Sequence, residues 1–261
     1  MSLLTWDNSK SRYQTGASSA TAMQQDTDLT PLRMTLVGAL LIAVGPISMT
    51  LYSPALTLLT QVFSASEEAI RGTITVYLFG FAAAQLICRP LSDRYGRRPV
   101  VLVCLALYVL GSLIAAAANS VLMLDGARVI QGVGACGGMA LSRVMVVDRF
   151  AGNGAARIIS LMSLILSIAP AAAPVLGGTL ITVLSWRLLF VLMALYGTLL
   201  LGLVWFFPET NARRDPGATR PAAIVLNYAA LLTSRAFLSQ VVLTAFAVGG
   251  FYAAQTVSPF I

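Results

Sequence analysis

Asp125, Arg128 and Gln131, side chains of types that exchange protons or hold charged ligands, share one stripe of a long apolar run. Their spacing of i, i+3 and i+6, with Gly132 and Ala135 following at i+7 and i+10, sets them on one face of a helix. Arg128 lies about eight residues, roughly 12 Å, along that helix. A guanidinium at bilayer depth costs about 3 kcal/mol even on lenient scales, so it must face a polar cavity or a partner. Asp125 is the one acid expected inside a span. Two readings stay open: a proton- or substrate-responsive pair, or an interfacial Asp125 that merely neutralises Arg128. Thr50, Tyr52, Tyr77 and Gln85 in other apolar runs are further polar groups able to line a cavity. Tyr also anchors at interfaces, and Thr also bonds its own helix carbonyls. Gly132, Gly134, Gly137 and Gly138, with Pro174, Gly177 and Gly178, supply small residues for close helix approach and a proline for bending. Generic packing and a gating role account for them equally.

The elements that must position these residues follow from composition. The 261-residue chain is 57% hydrophobic and only 10% charged, with mean hydropathy +0.82. Soluble domains carry about 25% charged residues, so a membrane protein is expected. The net charge of +7 comes from arginines dispersed between apolar runs. They form no basic face, which argues against nucleic acid and for loops held at one side of a bilayer. The absence of His removes the commonest metal ligand and general base, and neither a metal site nor a cofactor is expected. Cys88, Cys104 and Cys136 lie far apart in sequence, inside apolar runs, and read as small packing residues.

The densest charge falls in Arg89–Pro99, where Arg89, Asp93, Arg94, Arg97 and Arg98 surround Gly96. Long apolar runs flank it, so it is predicted as a tight loop, cytoplasmic by its arginine excess. Apolar runs near residues 34–59, 72–88, 100–118, 121–147, 158–184 and 188–207 are each near the ~20 residues a bilayer core needs, and a seventh starts near Ala236. Trp186, in the turn before the sixth, is placed as an interfacial anchor. Residues 1–31 read as a disordered cytoplasmic tail, 32–208 as a six-helix domain, 209–234 as a polar cytoplasmic linker and 235–261 as a seventh helix. This threading puts Lys10 and twelve arginines (Arg12, 33, 89, 94, 97, 98, 149, 157, 213, 214, 220 and 235) inside, against Arg71 and Arg187 outside. The N-terminus is expected in the cytoplasm.

Three motifs carry a resemblance. Arg89-Pro-Leu-Ser-Asp-Arg-Tyr-Gly-Arg-Arg98 resembles the loop between the second and third helices of major facilitator superfamily transporters. Ala127-Arg128-Val-Ile-Gln131-Gly132-Val-Gly134 resembles their fourth-helix Arg-x-x-Gln-Gly motif. Ala173-Pro174-Val-Leu-Gly177-Gly178 is similar to the fifth-helix motif of the drug:proton antiporters. Leu51-Tyr52-Ser-Pro54-Ala55-Leu56 and Ser258-Pro259-Phe260 point to the bicyclomycin-resistance (Bcr/CflA-like) multidrug branch. The resemblance implies an all-α, polytopic fold of twelve helices in two halves, each built from 3+3 inverted repeats, with substrate near the midplane. This chain would hold the N-terminal six-helix bundle and a seventh helix, truncated relative to that fold.

The implied function is proton-driven efflux of small hydrophobic or amphipathic drugs across a bacterial inner membrane, without enzymatic chemistry. The implied roles are proton coupling for Arg128 and Asp125, a cavity of Thr50, Tyr52, Gln85 and Gln131, and an inner gate of Arg89, Asp93, Arg94, Gly96, Arg97 and Arg98. Pro174, Gly177 and Gly178 would form the antiporter bend. Three positions depart from the pattern: Arg89 stands where the loop motif has Gly, Thr50 where many relatives carry an acid, and the chain stops in the seventh helix. An inactive truncated product, or a half-transporter needing a partner half, is the alternative. A seven-helix receptor is disfavoured, since the lone lysine, Lys10, lies in the tail and the arginine distribution puts the N-terminus inside.

Overall fold

The computed structural model describes residues 30–183, 185–212 and 214–257. The N-terminal tail expected over residues 1–31 lies almost wholly outside these, as do Arg213 and the Ser258-Pro259-Phe260 stretch. Among the described residues there is no strand, and six helical segments are long and apolar enough to cross a membrane: Pro31–Val62, Glu67–Tyr95, Arg97–Ala116, Val121–Arg149, Gly152–Val183 and Trp186–Trp205, here spans 1 to 6.

Local chemistry sets their ends. Span 1 starts with the Thr30 hydroxyl accepting from the Arg33 N–H and Pro31 in the first turn. It is broken once, at Leu51–Ala55, where a 3₁₀ turn (Ser53–Ala55) holds Pro54. Before the break, Ser48 and Thr50 hydroxyls donate to the Val44 and Pro46 carbonyls at 2.6 and 2.9 Å, local back-bonds of the kind that bend a helix. Ser66 caps span 2, with Glu67 and Glu68 in its positive first turn, and Ser120 caps span 4.

Span 2 corrects one expectation. The Arg89–Pro99 segment is not the tight loop expected: helix continues through Tyr95, Gly96 alone breaks it, and Arg97 opens span 3. A polar helical extension leaves hydrocarbon while keeping its backbone bonded, so charge density marks a membrane face without requiring a loop. The gap between the apolar runs 121–147 and 158–184 likewise shrinks to Phe150-Ala151. The 209–234 connector, expected polar throughout, contains an apolar helix, Pro221–Thr233. A final helix, Arg235–Val257, follows it at an 84° bend, and the two together are apolar enough for at most one further span.

Span 4 is the hub, packing against spans 1, 2 and 3, while span 3 packs on span 6 and span 1 on span 5. Exchanging 1 with 4, 2 with 5 and 3 with 6 maps the 2–4 contact onto 5–1 and returns 3–6 and 1–4 to themselves. That is the arrangement two three-helix repeats produce. Backbone approach at the hub is close: a Cβ on Gly138 would lie 2.7 Å from the Leu41 carbonyl oxygen, and one on Gly132 would collide with that of Tyr77. Span 1 is 83% buried along its apolar stretch, against 22% for span 2 and 20% for span 5.

Trp186 is not an interfacial anchor. It is buried, edge-on to Phe63 and Phe190 at 5.6 and 6.2 Å, because span 6 starts inside the bundle wall. Two of the cysteines, distant in sequence, converge: the Cys88 and Cys104 sulfurs are 3.6 Å apart. All three are free and buried.

Candidate functional site

Arg128 is the largest fully buried side chain, with no exposed surface. Its Nη1 donates to the Ser48 carbonyl at 3.3 Å and to Gln131 Oε1. Three aromatic rings enclose the cation: Tyr77 at 4.3 Å, Tyr52 at 4.8 Å and Phe190 at 6.0 Å from guanidinium carbon to ring centre. Both phenols are engaged elsewhere, so they present their π faces. The Tyr52 hydroxyl bonds with Thr73 Oγ1 at 3.0 Å, and that of Tyr77 donates to the Gly45 carbonyl at 3.2 Å. Gln131 is fixed from behind by its Nε2 donating to Ser112 Oγ at 2.7 Å, and the Ser48 hydroxyl bonds the Tyr108 hydroxyl at 2.6 Å. Spans 1, 2, 3, 4 and 6 thus all contribute to the cage. Each face-on ring contributes about 2 kcal/mol when desolvated, which offsets part of the cost of burying the charge.

Beside this cage lies an apolar cavity of about 480 Å³, with Gly45, Met49, Tyr77, Phe81, Met139 and Val248 among its walls. Tyr77 belongs to both, one side on the cavity and a ring face on Arg128. The space is of a size that takes a drug-like molecule.

The stripe residues divide. Gln131 touches Arg128, whereas no ion pair joins Asp125 to Arg128 among the described residues. The Asp125 Oδ1 is a buried atom without a hydrogen-bond partner. Tyr52 joins the cage; Thr50 is buried one turn away, its hydroxyl on its own helix. Gln85 is exposed on span 2 and is not brought to the cage. Gly177 packs against the Leu51 carbonyl at the break in span 1, Gly178 meets open space, and the helix carrying Pro174 runs unbroken from Gly152 to Val183.

The charged segment forms a second cluster. Arg97, 7% exposed, pairs with Asp93 through Nη1, donates from Nη1 to Ser92 Oγ at 2.7 Å, and from Nε to Asp148 Oδ2 at 2.9 Å. Glu209, just past span 6, accepts the backbone N–H groups of Arg97 and Arg98 at 2.9 and 3.2 Å. Its carboxylate thereby caps the positive end of span 3. Gly96 has φ of 106°, and a Cβ there would strike Glu209 Oε2, so glycine serves both the turn and the approach. Arg98 donates to the Trp205 carbonyl, Arg149 to that of Glu209 at 2.9 Å, and exposed Arg94 to Thr219 Oγ1. Arg89 is exposed. Sequence reading named Tyr77 as a cavity residue but missed Phe190 as a cage wall, and Asp148 and Glu209 as partners. An acid placed directly after an apolar run, on a face crowded with arginines, was the available signal for Glu209.

A bundle of hydrocarbon-length helices around a sequestered guanidinium and an apolar cavity defines a multi-span membrane protein of the transporter class. The chain belongs to the Major Facilitator Superfamily, whose family model matches residues 38–261. It is 27% identical to a bicyclomycin resistance protein homolog of Haemophilus influenzae over 81% of this chain and 53% of that one. It is 31% identical to the multidrug transporter MdfA of Yersinia pestis bv. Antiqua over 86% and 54%. The chain therefore spans about half the length of these relatives. The structure of the proton:xylose symporter XylE superposes with a TM-score of 0.62 at 17% identity, over 69% of this chain and 45% of that one, a likeness of fold.

Proposed function

We propose that this chain supplies the first half of a drug:proton antiporter of a bacterial inner membrane, with the N-terminus in the cytoplasm. The observation that carries the reading is the encaged Arg128, separated by one aromatic ring from an apolar cavity of drug size. The names of the bicyclomycin-resistance and multidrug relatives support amphipathic drugs as substrates. Asp125 is the proposed proton carrier, because Thr50 stands where many relatives have an acid. A proton arriving or leaving near the cage alters how well a fixed cation is compensated, and a bound amphipath alters the same balance. Asp93 and Arg97 form the inner gate, and Pro174, Gly177 and Gly178 the flexing segment of span 5.

Spans 2 and 5 expose most of their apolar surface, and the second half of the fold is the proposed partner of that face. The 261-residue polypeptide by itself is expected not to move drug. In proteoliposomes with an imposed pH gradient, the chain extended by the remaining spans of a twelve-helix fold is expected to export ethidium, and Arg128→Ala to slow that export at least about tenfold. Gradient-driven export by the 261 residues alone would contradict the half-transporter reading, and unchanged coupling in the Arg128 variant would remove that residue from the mechanism.

A further inference from the structure

We infer that the buried Arg128 guanidinium holds a monovalent anion, a halide or the carboxylate of a bound amphipath, against its Nε–Nη2 edge. Nη1 spends its donors on Ser48 and Gln131, but Nε and Nη2 are buried with no hydrogen-bond partner. No carboxylate oxygen lies within 4.0 Å of the guanidinium among the described residues. The groups facing it are all neutral: Tyr52 and Ser48 from span 1, Tyr77 from span 2, Gln131 from span 4 and Phe190 from span 6. Ring faces soften the burial of a cation, yet they supply no acceptor for an N–H. Asp125, one turn away, forms no ion pair with the guanidinium among the described residues, and its own Oδ1 is without a hydrogen-bond partner. A buried charge persists when paired, and the Nε–Nη2 edge offers two parallel N–H groups, the geometry that receives one carboxylate or one halide.

The halide arm goes beyond the transport proposal, since binding requires no turnover; the carboxylate arm rests on Arg128 lying in the drug path. The test uses the purified 261-residue chain in detergent micelles, with isethionate, a bulky sulfonate, as the background anion at fixed ionic strength. Bromide and benzoate are titrated in separately. Either probe is expected to raise the wild-type Tm saturably by about 3 °C. Gln131→Glu places a carboxylate on the guanidinium, so it is expected to be more stable than wild type in isethionate and to ignore both probes. Arg128→Gln is expected to ignore them as well; should it fail to fold, Gln131→Glu carries the test. A response to bromide assigns an inorganic anion, and one to benzoate alone assigns the substrate's carboxylate. A wild-type Tm indifferent to both, or a full response retained in Gln131→Glu, overturns the inference. A bromide response in a protein that exports no drug would leave the anion site standing while the transport proposal fell.

Discussion

A single guanidinium inside a bundle creates an electrostatic demand that everything around it must answer. At Arg128 the answer is a set of π faces, one carbonyl and one amide, with no acid. Arg128→Met, which keeps much of the buried volume without the charge, should therefore cost little fold stability while abolishing the drug dependence of proton movement, because a buried uncompensated charge is retained at a net expense. Gly96 is the opposite case: Gly96→Ala strains a backbone at φ 106° and displaces Glu209, lowering stability by about 2–4 kcal/mol, read as a fall in Tm in micelles. The importance of Arg128 was legible in the sequence, since charge is scarce there and cannot be hidden in lipid. Its cage was not, because Tyr52, Tyr77 and Phe190 come from three separate spans and each has an ordinary structural reading alone.

At the scale of elements, span 4 governs the bundle through small residues at its contacts with spans 1 and 2. Gly132→Leu would force a side chain into the Tyr77 carbonyl and should destabilise by about 3 kcal/mol or more, with loss of monodisperse protein on size-exclusion chromatography. Glu209→Gln keeps the shape of the cap over span 3 but removes its charge, so a smaller loss of about 1 kcal/mol is expected in thermal unfolding. Helix number and rough limits were legible because hydrocarbon thickness sets a minimum length for an apolar run. The span 2–3 junction was misjudged as a loop, since a polar face and a helical backbone are compatible at a membrane surface. Trp186 was misplaced for a related reason: amphipathic side chains fit an interface and a packed wall alike, and only the neighbours Phe63 and Phe190 decide between them.

For the whole molecule, six spans form two interlocked three-helix units, and spans 2 and 5 offer a broad apolar face. Motif spacing made this family architecture legible, whereas pairing across the inner cluster required coordinates, because Glu209 reaches residues more than 100 positions away. The arginine distribution predicts that a cysteine placed at exposed Arg89 is shielded from membrane-impermeant reagents in intact cells and reached in inside-out vesicles. The account stands most directly on drug and proton competing around Arg128. Adding ethidium to the protein, completed by the remaining spans of a twelve-helix fold, in weakly buffered micelles should release protons in wild type and none with Arg128→Ala. Drug binding without proton release in wild type, or equal release from both, would contradict it.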